Sequence, residues 1–161
     1  MRANGRRRML LGLMIAVVGV GAQSQAAPPP PPTVPPLVHG YIYFDSGSAV
    51  PIRRPQADPI EYLGPRVPAD SFVYVQGQTD TVGSHAANDA LSRRRAFAVA
   101  DLLVLAGVDA ERITIKSCGE RVLNRSTADE TPEPLNRFAL FDWSAQPPRA
   151  SALCPVEPFR R

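Results

Sequence analysis

The stretch TDTVGSHAANDALSRRRA, residues 79–96, sets one carboxylate, Asp80, ahead of three consecutive arginines, Arg93, Arg94 and Arg95. Two chemistries suit that arrangement. Asp80 can cap a helix or close an Asx turn and take an arginine as a structural partner. Alternatively, because it falls between a predicted strand and a predicted helix, it belongs to a ligand site of the kind that α/β folds build there. Gly83 lets the backbone turn tightly, and the helix that follows offers free N–H donors to an anion.

Only one arginine demands a partner. Taking about 100° per residue with Leu91 as origin, Ala87, Ala98, Leu102 and Leu105 fall within about 40° and form the predicted buried stripe. Arg93 lies about 200° round, in water, and Arg94 at about −60°, on the stripe's edge. Arg95 lies at about +40° beside Asn88 at about +60°, where the helix meets the rest of the protein. A guanidinium aimed there is costly unless acceptors meet it, and Asp80 is the carboxylate the sequence offers.

Catalysis finds no footing. The two histidines, His39 and His85, stand at no metal-ligand spacing with a cysteine, and the serines form neither a nucleophile elbow nor a triad. Asp80 and Asp89 are no more than a chance pair of acids. No catalytic residue, metal site or cofactor is assigned; the chain reads as a binding protein, not an enzyme.

The elements that must position these residues follow from periodicity. HGYIYFD (39–45) is a first strand, closed by the turn cluster Asp45-Ser46-Gly47-Ser48. Pro51, Pro55, Pro59, Pro65 and Pro68 leave room only for a short helix near 58–64. SFVYVQG (71–77) is a second strand, and a helix runs from about Ser84 to Ala106 with Gly107 as its stop. RITIKS (112–117) and NRFALFDW (136–143) are further strands, separated by a long irregular loop. The order implies an α/β (α+β) two-layer sandwich spanning 38–145, with helices on one face of a small mixed sheet and some neighbouring strands parallel. The proline-containing tail, 146–161, is expected to be extended and held mainly by Cys154.

The N-terminus reads as a signal peptide over residues 1–26: Arg2, Arg6, Arg7 and Arg8, an apolar run, then small residues. About fourteen apolar residues span about 21 Å, short of a ~30 Å hydrocarbon core, so no membrane span is expected in the mature chain. No cysteine stands near the cleavage region, which argues against a lipid anchor. Removing the four leader arginines leaves one more acid than base, so the overall basic balance belongs to the leader and gives no ground for a nucleic-acid partner. Residues 27–37 are a Pro-rich linker in a stiff polyproline II form. In an oxidising compartment Cys118 and Cys154 read as a disulfide, closing a loop of about 36 residues for roughly 4 kcal/mol.

The run QTDTVGSHAANDALSRRRAFAVADLLVLAGVDAERITIKSCGE resembles the central motif of the OmpA-like C-terminal (OmpA/MotB) domain family, the peptidoglycan-binding module of Gram-negative envelope proteins. Thr79-Asp80, Gly83, Asn88, Leu91-Ser92, Arg95-Ala96, Gly107-Val108, Arg112-Ile113 and Gly119-Glu120 stand at the family's spacings. Weaker similarity reaches Tyr43-Phe44-Asp45 and Asn136-Arg137. The resemblance implies a β-α-β-α-β domain, periplasmic and peptidoglycan-associated, at the outer membrane or with other envelope proteins as partners. It would hold the diaminopimelate of the stem peptide noncovalently. Asp80 would take the ligand's ammonium and Arg95 its carboxylate; Asn88 would add an amide to the wall, and Thr79 with the backbone after Gly83 would line the floor. Two places depart from the family pattern. The first helix is cut short by prolines across 50–68, and the closing motif carries Pro132-Glu133 and Arg137-Phe138 where the family has Gly-Arg and a double arginine. These departures keep a second reading open, a degenerate module that serves as a protein-interaction or assembly piece of the envelope.

Overall fold

The computed structural model describes residues 39–54 and 58–160. The expected signal peptide (1–26) and Pro-rich linker (27–37) lie outside them. Six strands and two α-helices follow in the order β1 (Gly40–Phe44), β2 (Pro51–Ile52), α1 (Pro59–Leu63), β3 (Phe72–Gly77), α2 (His85–Leu105), β4 (Ile113–Ser117), β5 (Phe138–Ser144) and β6 (Val156–Pro158). They form one mixed sheet ordered β2-β1-β5-β3-β4-β6. The pair β3 and β4 is parallel, with Val73 opposite Ile113. β5 is antiparallel to both β1 and β3. Consequently β1, β3 and β4 all point the same way, and their carboxyl ends meet at one rim of the sheet.

Alternation along the strands separates two faces. Ile42, Phe44, Val73, Val75, Ile113 and Ile115 are buried on the face that packs against Val99 and Leu103 of α2 and Ile60 of α1. The opposite face carries Tyr41, Tyr43 and Tyr74, with Asp142 buried by its partners His39 and the Tyr74 hydroxyl, which donates to Asp142 Oδ2 at 2.9 Å.

α1 forms in a proline-broken segment because its start is well prepared. Pro59 occupies the first helical position, where no N–H is needed, and Asp58 Oδ1 accepts from Ile60 N at 2.9 Å. α2 begins at Ser84, whose Oγ accepts from Ala87 N at 3.2 Å, and stops at Gly107, which takes a positive φ of 98°.

The buried stripe of α2 differs from the one expected. Ala87 is exposed and Leu105 is 83% exposed, whereas Asn88, Leu91, Ser92, Arg95, Ala96, Val99, Ala100 and Leu103 are buried. The stripe is therefore rotated by about 105° from the leucine-based reading. The cause is close approach: a Cβ on Gly77 would lie 1.9 Å from the Ser92 carbonyl oxygen, so the contact surface of the helix is made of small residues. The rotation puts Arg94, expected at the core's edge, into water, and carries Arg95 further inside.

The tail is bound more firmly than expected. Cys118 and Cys154 form a disulfide, and β6 adds antiparallel to β4, with Lys116 opposite Val156. Phe159 is buried against Phe97, ring centroids 5.3 Å apart. Arg93, read as simply solvated, is exposed but donates through Nη2 to Glu157 Oε2 at 2.9 Å. Among the described residues no helix is long and apolar enough to cross a membrane.

Candidate ligand-binding site

The rim where β1, β3 and β4 end is continued by paired loops. Cys118 N donates to the Gly77 carbonyl at 3.1 Å and Thr79 N to the Gly119 carbonyl at 3.0 Å, so the two parallel chains stay in register past their strands. The N-terminal half of α2 lies over this rim. Thr79, Asp80, Asn88 and Arg95 are brought together there and are all buried, while Gly83, with φ 98°, makes the exposed turn into the helix.

Arg95 is 0% exposed, the largest fully buried side chain among the described residues. Its guanidinium meets backbone rather than a carboxylate. Nε donates to Ser48 O at 2.8 Å, Nη1 to Gln78 O at 2.7 Å and Nη2 to Asp45 O at 3.0 Å. Its carbon lies 5.1 Å from the Phe44 ring centroid. Burial pushes the group down to about 10, partly offset by the attraction of Asp80, while Arg137 and Arg94 push the same way as burial. It remains a cation at neutral pH.

Asp80 forms no ion pair with Arg95. Arg137 Nη1 donates to Asp80 Oδ2 at 3.1 Å, and Glu133 N approaches the same oxygen at 3.4 Å. Nor does Asp80 cap the helix, which is the work of Ser84. The partner is an arginine 57 positions away in sequence, brought beside Asp80 because β5 lies next to β3. Arg137 Nε also donates to Phe44 O at 3.3 Å, which joins the three strand ends.

Asn88 donates to Val82 O at 3.2 Å and to a carboxylate oxygen of Glu120, whose other oxygen holds His85 Nδ1. The Gly83 amide donates to Glu130 Oε2 at 3.1 Å. The long loop is tied to the rim at Thr81 and braced within itself at Asn136. Thr81 Oγ1 donates to Ala128 O at 2.7 Å, and the Asn136 amide exchanges two 2.8 Å bonds with the Arg125 backbone. Thr79 Oγ1 and Gln78 Oε1 are buried without a partner.

The sequence marks Asp80, Asn88 and Arg95 but not their partners. Arg137, Glu120 and Glu130 were the missing groups, and only the first two had a signal, in the Asn136-Arg137 and Gly119-Glu120 pairs. A cavity of about 180 Å³ lies elsewhere, at the β1–β2 edge between Tyr41, Ile52, Arg54 and Pro59, and includes none of the chosen residues. Among the described residues no group of three or more His, Cys, Asp or Glu side chains is placed to hold a metal ion.

A model of the OmpA family matches residues 60–137. Outer membrane protein A of Escherichia fergusonii is 40% identical over 75 residues, 47% of this chain and 30% of that protein. The same protein of Shimwellia blattae is 42% identical over 76 residues, 47% and 30% of the two chains. The chain thus spans less than a third of the length of these relatives. The peptidoglycan-associated lipoprotein of Burkholderia pseudomallei superposes with a TM-score of 0.58 at 27% identity, over 65% of this chain and 90% of that one. The OmpA-like domain of FopA1 from Francisella tularensis subsp. tularensis SCHU S4 gives 0.53 at 21% identity, over 77% and 75%, a likeness of fold alone. A family match centred on α2 and the rim it covers, together with this sheet, makes residues 60–137 of the chain an OmpA-family domain with the OmpA-like C-terminal fold.

Proposed function

We propose that the chain binds peptidoglycan noncovalently through the diaminopimelate of the stem peptide, in the periplasm, and so couples envelope components to the cell wall. The observation that carries this reading is the convergence of Asp80 and Arg95 on one rim within an OmpA-family domain. The free end of diaminopimelate is a zwitterion. Asp80 commits Oδ2 to Arg137 and Glu133, which leaves Oδ1 for an ammonium. A guanidinium has five N–H donors, and the three bonds from Arg95 leave two for a carboxylate. Because Arg95 is enclosed, a ligand reaches it by drawing back the turn at 45–48, which is held to the guanidinium by two carbonyls. Two or three charge-assisted bonds, less the cost of association, correspond to roughly micromolar to millimolar affinity per site, multiplied by the many ligand copies in a wall.

Sedimentation with diaminopimelate-type sacculi tests the proposal. The wild-type protein should pellet, Asp80→Ala and Arg95→Ala should not, and Arg93→Ala should pellet nearly as well as wild type. Equal loss in all three variants would point to nonspecific charge. A second reading, a protein-interaction or assembly module of the envelope, is favoured by the enclosure of Arg95; it stands if the folded wild-type protein stays in the supernatant.

A further inference from the structure

We infer that Glu120 is the residue that selects an amine-bearing ligand, completing with Asp80 an acceptor pair for the ammonium; this rests on the peptidoglycan reading above. Asp80 and Glu120 each stand three residues beyond the paired ends of the parallel strands β3 and β4, on loops that the Thr79–Gly119 backbone bond still holds side by side at the rim. Their charges are not equally available. Asp80 is compensated by Arg137 at 3.1 Å, so an approaching cation meets a pair that is already neutral overall. Among the described residues Glu120 has no arginine or lysine partner: the neighbouring Arg121 turns instead to Asp89, 2.6 Å away. Glu120 is held by the Asn88 amide and the His85 imidazole.

Access differs in the same sense. The Glu120 side chain is 8% exposed, and its partner His85, at the first position of α2, is itself 83% exposed. Asp80 is roofed by the Glu133 backbone and Arg137. Asn88 fixes the Glu120 carboxylate toward the rim by holding one of its oxygens, while His85 marks the oxygen that a ligand ammonium would take. Glu120 thus supplies a charge that no arginine or lysine among the described residues neutralises, and Asp80 the second contact.

The test is equilibrium binding of a soluble diaminopimelate-containing muropeptide, with its amine free or acetylated, to the purified protein. Wild type should prefer the free amine by about 10- to 100-fold, the loss of one charge-assisted contact. Glu120→Gln, melting like wild type, should bring the two ligands to within about threefold, and His85→Ala should keep the preference. A full preference retained in Glu120→Gln would overturn the assignment. So would unchanged His85 imidazole resonances when wild type is saturated with the free-amine ligand, a readout that needs no variant. Wild-type protein that binds neither ligand and leaves sacculi in suspension would overturn the peptidoglycan reading, and this assignment with it.

Discussion

Replacing Arg95 by methionine separates the structural work of this side chain from any contact with a ligand. Methionine roughly conserves length and removes the charge and the donors. Each bond from a charged donor contributes roughly 1.5–3 kcal/mol, so the three to Ser48, Gln78 and Asp45 amount to about 4.5–9 kcal/mol. Against this, holding the cation in a site where burial lowers it to about 10 costs about 3 kcal/mol. The expected net loss in Arg95→Met is about 2–6 kcal/mol, measured by urea unfolding followed by circular dichroism with an unchanged denaturant slope. Arg95→Lys should recover little of it, because one ammonium cannot fan out to three carbonyls set around a plane. Stability within about 1 kcal/mol of wild type in Arg95→Met, or full recovery in Arg95→Lys, would refute the three-carbonyl account.

Gly77→Ala should cost about 3 kcal/mol or more, at or above the top of the overpacking range, because the new methyl would meet the Ser92 backbone oxygen at 1.9 Å; a melting temperature equal to wild type would show that α2 does not sit this close. Burial and the bond to Asp142 hold the Tyr74 phenol well above the ordinary tyrosine range. The folded state therefore keeps that proton after the unfolded chain has lost it, and stability should fall as pH rises above about 10. Tyr74→Phe should make that alkaline decline shallower, as read by unfolding free energies at stepped pH.

The sequence carried the parts of this fold that repeat. β1, β3, β4 and α2 were legible because alternation and helical period persist over five or more residues, and β5 because its run is aromatic and bounded by turns. β2 has two residues and β6 three, too few for a period, and both exist only because a neighbouring strand edge supplies their partners. The wheel of α2 was misread because it weighed leucines, while the contact with Gly77 selects Ser92 and Ala96. Arg95 was singled out correctly as the arginine that points inward. Its true partners are carbonyls, which every residue has and no sequence marks. The link between Asp80 and Arg137 depends on β5 entering the sheet beside β3, an ordering that composition does not encode.

The direction of the strands has a mechanical consequence. The described chain enters at residue 39, at the amino end of β1, while the rim holding Asp80 and Arg95 lies at the opposite end, about 17 Å away along a five-residue strand. Tension between a tether at residue 39 and a load gripped at the rim would run along the axis of β1. The bonds that join β1 to β5 from Gly40 to Tyr43 lie across that axis and would be sheared together rather than peeled singly. Force entering from the amino end would therefore meet the sheet in its stiffest direction, with the Cys118–Cys154 bridge closing the far edge against unravelling.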